Sequence, residues 1–180
     1  MPDPWHDLAA LQAHLWDRLA RGAARSDDPF RLVALATTGP DGPEARMVAL
    51  RAADRAAGTV EVQSDRRTAK ARALTGDPRA ALLLWDAATQ EQLRLTLSVT
   101  LIPADPDRWA AIPPDVRLNY GTDPAPGTPV PDPDMVTRRP DPARHLALLG
   151  HVRSMDAVSL THAPHRRARL DADGARWIAP

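Results

Sequence analysis

Only one of the 23 basic residues in this 180-residue chain is a lysine, Lys70; every other one is an arginine. Lys70 falls in a short run of helix formers, Thr68 to Leu74, with Arg66 and Arg67 at its start. Cations at a helix N-terminus oppose its dipole and cost from a few tenths up to ~1 kcal/mol. A bound anion would reverse that sign, because backbone N–H groups and side-chain cations would converge on it. The other reading is a pair of solvated arginines whose long chains reach away. Arg46 opens and Arg51 closes a strand-like stretch. An offset of five puts them on opposite faces unless a bulge changes parity, so one could enter a pocket while the other stays outside. Alternatively they blunt an edge strand with charge. Gln92 begins a long apolar strand and could present its amide to a heterocycle, or could simply end a hairpin in water.

Other familiar chemistry is missing. The nine glycines form neither a dinucleotide-binding nor a phosphate-binding loop, and there is no nucleophile elbow. His162 and His165 are a close pair, but Pro164 lies between them and no acidic residue neighbours them in sequence. The expectation is two loop histidines and no metal.

The elements that would carry these residues follow from periodicity. Leu8, Leu11, Leu15 and Leu19 make an apolar stripe, so Trp5 to Ala24 is expected to be helical, capped by Asp3 with Pro4 in its first turn. Phe30–Thr37 and Ala45–Arg51 read as strands around a Gly39–Pro43 turn, followed by the alternating Thr59–Ser64. After the inserted helix come strands Arg79–Asp86 and Gln92–Ile102, and a short helix Pro106–Ala111. Pro113 to Pro142 is dense in proline and is expected to be a long loop. His145–Val152, Ala157–Leu160 and Arg166–Asp171 read as three short strands, the last turning into Arg176–Ala179. Many short strands joined by hairpin turns predict an antiparallel barrel or sandwich with flanking helices. The expected organisation is a helix and linker over 1–29 and a barrel domain over 30–180.

Composition bounds the rest. Hydrophobic residues are 43% and charged residues 26%, ordinary globular usage. Lys+Arg and Asp+Glu are both 23, so no long-range field steers the chain to nucleic acid or an anionic membrane. With no cysteine there is no disulfide or thiolate site. The N-terminus lacks a secretory pattern and no apolar run reaches membrane-spanning length, so a cytoplasmic protein is expected. Proline, at 19 residues, is about twice its usual share; coding bias toward Ala, Pro, Asp and Arg accounts for much of that.

The fragments LVALATTGPDGPEARMVALR, TVEVQSDRRTAKARALTGDPRAALLLW, EQLRLTLSVTLI and PHRRARLDADGARWIAP occur in one order over roughly Phe30 to Pro180. In that order they resemble the pyridoxamine 5′-phosphate oxidase family of FMN-binding split barrels, and most closely its oxidase-related FMN-binding branch. The resemblance implies an antiparallel Greek-key-type barrel, FMN as cofactor and a homodimer with FMN between its subunits. It implies Arg46 and Lys70 on the FMN phosphate and the backbone of Met47, Val48, Ala49 and Leu50 along the flavin. It implies Arg51, where the family has lysine, at the edge of the substrate pocket. Gln63 and Ser64 would end a strand beside the flavin. Gln92 would reach the flavin from the partner side, and Arg169 matches the C-terminal flavin-contacting arginine. The arginine that usually precedes the phosphate-binding lysine is Ala69 here, so Arg66 or Arg67 would take its part. The substrate-gripping Arg-Leu-His triplet is absent, and Leu160 stands where a tryptophan packs on the flavin. Only Arg117, Asn119 and Tyr120 offer substrate ligands in the proline-rich loop. The resemblance therefore implies an FMN-dependent oxidoreductase with a small-molecule substrate other than pyridoxine phosphate. The competing expectation is a non-catalytic binder of FMN or of haem, with His145, His151 or His165 as axial ligand.

Overall fold

The structure, a computed structural model, describes residues 3–180. Strands β1 (Leu32–Gly39), β2 (Gly42–Asp54) and β3 (Thr59–Asp65) form a meander. Helix α2 (Ala69–Gly76) follows, then β4 (Arg79–Asp86) and β5 (Glu91–Pro103). The segment from Ala104 to Arg144 carries α3 (Pro106–Ala111), α4 (Pro114–Arg117) and the two-residue strands β6 (Thr122–Asp123) and β7 (Thr137–Arg138). The chain ends in β8 (His145–Ser159), β9 (Arg166–Asp171) and β10 (Gly174–Ile178). N-terminal to all of these lies α1 (Leu8–Ala24).

In the sheet, β4 returns to lie beside β1, giving the Greek-key order β3-β2-β1-β4. β5 pairs with β8, and β8 with β3, which closes a barrel of β8, β3, β2, β1, β4 and β5. Its interior is filled by alternating apolar residues such as Leu35, Leu50, Val60, Val62, Leu82, Leu95 and Leu148, each at most 4% exposed. β8 serves three partners. Its first half lies between β3 and β5, and its second half between β5 and β9. The expected two strands are thus one strand of 15 residues. Arg153 is an extra residue opposite Thr96 and Leu97. That bulge breaks the apolar alternation without breaking the strand.

The N-terminal helix starts later than its apolar stripe implies. Asp3 accepts from the Trp5 amide at 3.0 Å and starts a 3₁₀ turn, Pro4–His6. Asp7, in extended conformation, then caps α1 by accepting from the Ala10 amide at 2.7 Å. Leu11, Leu15 and Leu19 are buried in the same core as the barrel strands. Arg18, 3% exposed, donates to Asp86 at 2.6 Å and to Glu91 at 2.8 Å. Trp5 Nε1 and His14 Nε2 also meet Glu91, at 2.8 and 3.0 Å. This buried polar cluster fastens the helix to the β4–β5 hairpin. Burial opposes it, but the hydrogen bonds from His14 and Trp5 and the Arg18 charge hold Glu91 below the usual carboxylate range.

The proline-rich segment is not the featureless loop that its composition suggests. Asp105–Pro106, Asp132–Pro133 and Asp141–Pro142 each start a short helical turn, with the aspartate accepting a backbone N–H and proline at the first helical position. Asp3–Pro4 and Asp28–Pro29 do the same nearer the N-terminus. Ile112 and Tyr120 are buried anchors of this segment, which covers the outer face of β3. Among the described residues no helix is long and apolar enough to cross a membrane.

Candidate functional site

An open cavity of about 330 Å³ lies where β2, the end of β3, the start of α2 and the covering segment meet. Met47, Val48, Ala49, Arg51, Gln63, Ser64 and Lys70 line it, together with Thr68, Asn119 and Tyr120. The pleat explains the grouping. Val48 and Leu50 are buried toward the core, whereas Met47 is 61% exposed on the outer face. Arg51 sits at a bulge between Leu50 and Ala52, where the register with β3 shifts. Arg46 pairs in register with Leu35 and lies outside the group that lines the cavity. Its guanidinium donates to Thr37 Oγ1 at 2.7 Å and pairs with Glu44.

Lys70 is the unusual group. It is half-buried, and among the described residues it has no salt-bridge partner. Burial, then the nearby Arg46 charge, holds its ammonium below the ordinary lysine value, and Asp65 works in the opposite direction. Asp65 itself is taken by Arg67, which donates at 2.6 and 3.0 Å and also reaches the Thr122 carbonyl at 2.7 Å. Burial opposes it, but those bonds hold Asp65 below the usual carboxylate range. At the head of α2, Thr68 makes no side-chain cap; its hydroxyl donates to the Asp65 carbonyl at 2.9 Å and meets Ser64 Oγ at 3.0 Å. The first amides of α2 are therefore uncapped by a side chain, beside an ammonium with no carboxylate of its own. This donor set fits a phosphate.

The remaining sequence candidates lie elsewhere. Arg66 is exposed, with its backbone N–H on the Arg144 carbonyl. Leu50 is fully buried, and its carbonyl accepts from Arg31 at 2.9 Å. Gln92 lies opposite Trp85 and Val158, and Arg169 lies opposite Asp156. Gln92 on β5 and Arg169 on β9 are each three strand spacings from β2, about 14 Å, one on either side, and within one chain neither residue lines the cavity. The three histidines considered for haem do not share a cavity: His145 is fully buried, while His151 and His165 are exposed. His162 has an acidic partner that its sequence neighbours do not reveal. Its Nε2 meets Asp3 at 2.9 Å and its Nδ1 meets Ser159 Oγ at 2.8 Å.

Sequence reasoning misses Glu61 and gives His145 and Tyr120 other parts, as a haem ligand and a substrate ligand. Glu61 and His145 are buried under the covering segment, and Tyr120, an anchor of that segment, sets its ring edge to face on His145 at 5.2 Å. Glu61 and Gln63 look like the solvent face of an alternating strand; the Ala104–Arg144 segment that covers them is far away in sequence.

Comparison with known proteins gives one consistent picture. The profile of the pyridoxamine 5′-phosphate oxidase FMN-binding domain matches residues 8–103, more than half of the chain. A pyridoxine/pyridoxamine 5′-phosphate oxidase of Anaeromyxobacter dehalogenans is 40% identical over 92 residues, 51% of this chain and 46% of that protein. The match thus spans about half the length of that curated relative. Among solved structures, a pyridoxamine 5′-phosphate oxidase-related FMN-binding protein of Nostoc punctiforme aligns over 100% of both chains, with TM-score 0.72 and 24% identity. PhzG of Burkholderia lata, solved with tetrahydrophenazine-1-carboxylic acid, aligns over 100% of this chain and 98% of its own, with TM-score 0.75 and 19% identity. At these identities the two structures speak for the fold, an FMN-binding split barrel.

Proposed function

The chain belongs to the pyridoxamine 5′-phosphate oxidase FMN-binding domain family and takes FMN as its cofactor, and from that premise we propose that it is an FMN-dependent oxidoreductase acting on a small molecule. The observation that carries the reading is the half-buried Lys70, without an ion-pair partner among the described residues, at the uncapped head of α2 on the wall of a cavity. In this reading Lys70, Ser64, Thr68 and the first amides of α2 hold the phosphate, with Arg46 adding charge from beside Lys70. Arg66 is free to join them, whereas Arg67 is committed to Asp65. Met47, Val48 and Ala49 offer their strand to the ring, with Leu50 buried behind them, and Gln63 offers its amide. Bound FMN supplies the hydride chemistry, which requires no acid or base from the protein. Arg51 puts a positive charge on the cavity wall and favours negative charge there. Asn119 and Tyr120 close the side from which a substrate enters.

Gln92 and Arg169 join the site only if the protein is a two-fold dimer. The outer face between them and Met47 supports that. Leu32, Met47, Leu83 and Trp85 are each more than 40% exposed on β1, β2 and β4. The apolar excess is on β4 and its neighbours and not on β5, whose outward residues include Arg94 and Thr96. An isologous interface on this face would cover the apolar residues and carry Gln92 and Arg169 toward the partner's cavity. Sedimentation should therefore show twice the 19.5 kDa chain mass at micromolar concentration. A stable monomer would remove Gln92 and Arg169 from the site.

The oxidoreductase reading is tested on purified protein. It should carry FMN, identified by mass after release, and its visible flavin band should bleach anaerobically with an organic or nicotinamide donor and return in air. Without the Arg-Leu-His triplet, kcat/KM for pyridoxine 5′-phosphate should stay below about 10⁴ M⁻¹s⁻¹. A bound flavin that no donor reduces would instead favour a binding protein without turnover.

A further inference from the structure

Gln63 is held at both ends of its amide. Nε2 donates to Glu61 Oε1 at 3.3 Å, and Oε1 accepts from the Tyr120 hydroxyl at 3.3 Å. The two partners are not interchangeable. Glu61 is ion-paired to Arg108, whose Nε donates to its other oxygen at 2.8 Å, and a carboxylate has only acceptors to offer. It can therefore bind only the nitrogen end of the amide. Tyr120 is 4% exposed, and burial raises its phenol above the ordinary value, so it stays a protonated donor for the oxygen end. Its ring, part of the cavity wall, is also held from behind, edge to face on His145 at 5.2 Å and on Trp109 at 6.2 Å. Flipping the amide would set its carbonyl oxygen against the Glu61 carboxylate, while its N–H could still donate to the phenol oxygen, so Glu61 fixes the sense of the amide and Tyr120 steadies it in place.

We propose that Glu61 and Tyr120 are positioning residues that lock the Gln63 amide, so that its second N–H is presented to the cavity as a donor for a carbonyl oxygen or ring nitrogen of the flavin. This rests on the flavin reading of the same cavity. The ligand end concerned is the ring, not the phosphate, and that makes the proposal separable from the phosphate site. A locked amide recognises an acceptor edge; a freely flipping one would accept either sense and discriminate less.

The experiment uses the full chain and two probes, FMN and riboflavin, with dissociation constants from quenching of flavin fluorescence. Tyr120→Phe keeps the ring packing and removes only the hydroxyl. It should weaken both flavins equally, by roughly 2- to 10-fold, the value of one hydrogen bond. Glu61→Gln, which gives Gln63 a partner able to donate or accept, should do the same. Gln63→Leu should lose as much, and adding Tyr120→Phe to it should cost clearly less than Tyr120→Phe costs alone, because the hydroxyl acts through the amide apart from its contact with Arg51. The ¹⁵N-resolved side-chain amide of Gln63 in the flavin-free protein supplies a direct readout. It should shift or broaden in Tyr120→Phe while the thermal midpoint stays put. Wild-type affinity for both flavins in Tyr120→Phe, or full additivity with Gln63→Leu, would overturn the lock. A wild-type chain that binds neither flavin would overturn the flavin reading instead, and with it the ligand named here, whatever the Gln63 amide signal does.

Discussion

Lys70→Ala and Arg46→Ala should each weaken FMN binding by about ten- to a hundredfold. A phosphate held by backbone amides and several cations loses about 1.5–3 kcal/mol when one charged donor is removed. Lys70 qualifies as such a donor because among the described residues no carboxylate pairs with it, Asp65 being taken by Arg67, and its half-burial keeps water from screening it fully. Arg46 sits beside it electrostatically but is partly occupied by Thr37 and Glu44, so its loss should fall at the lower end. Riboflavin, lacking the phosphate, should bind weakly and respond to neither change. Arg21→Ala, on the far helix and paired with Asp28 at 2.9 Å, is the control and should leave FMN binding unchanged. Titration of the flavin-free protein measures all of these. Wild-type affinity in Lys70→Ala would rule out α2 as the phosphate anchor.

The largest effect on stability should come from Arg18→Ala. The guanidinium is 3% exposed between Asp86 and Glu91 and lies 4.3 Å over the Phe30 ring. Removing it leaves two buried carboxylates without their cation, a change that typically costs about 3–5 kcal/mol. For a chain of this size that corresponds to a drop of about 6–20 °C in the thermal midpoint. Arg25→Ala, which breaks an exposed pair with Asp27, should cost close to nothing. The gap between wild type and Arg18→Ala also carries a pH signature. Asp86 and Glu91 are held below their ordinary range in the folded chain, so their contribution is complete above it and is lost as pH falls. The difference should narrow below about pH 4. Calorimetry that finds the two proteins equally stable at neutral pH would contradict the role given to this cluster.

Much of the barrel is legible in the chain because half-buried strands advertise their period. The limits of β4 and α3 coincide with their sequence readings, Arg79–Asp86 and Pro106–Ala111. Where one strand serves different partners, periodicity fails: the Arg153 bulge hides the continuity of β8. The covering segment fails for a different reason. Its order comes from Asp-Pro caps and two buried anchors, signals too local and too sparse for any apolar period. At the site, the residues on β2, on β3 and at the head of α2 are near one another in sequence and can be gathered from it. Tyr120 and His145 belong to parts of the chain far from Gln63 and its strand neighbour Glu61, and only the closed fold brings them together. The acidic partner of His162 is likewise 159 residues away.

The triple pairing of β8 bears on the order of events during synthesis. β3 and β5 are finished by residue 103, yet each has an unpaired edge until β8 arrives more than forty residues later. A nascent chain therefore carries two open, strongly apolar strand edges while the Ala104–Arg144 segment is being made, the situation in which strands recruit foreign partners. Ring closure between elements so distant along the chain also makes for slow, highly non-local folding. A fragment ending at Pro103, although it holds nearly every residue of the phosphate site, would be a sheet with two sticky margins and should aggregate. Supplying β8 on a separate chain, as residues 145–180, should recover soluble material, because the missing strand is a template for both edges at once.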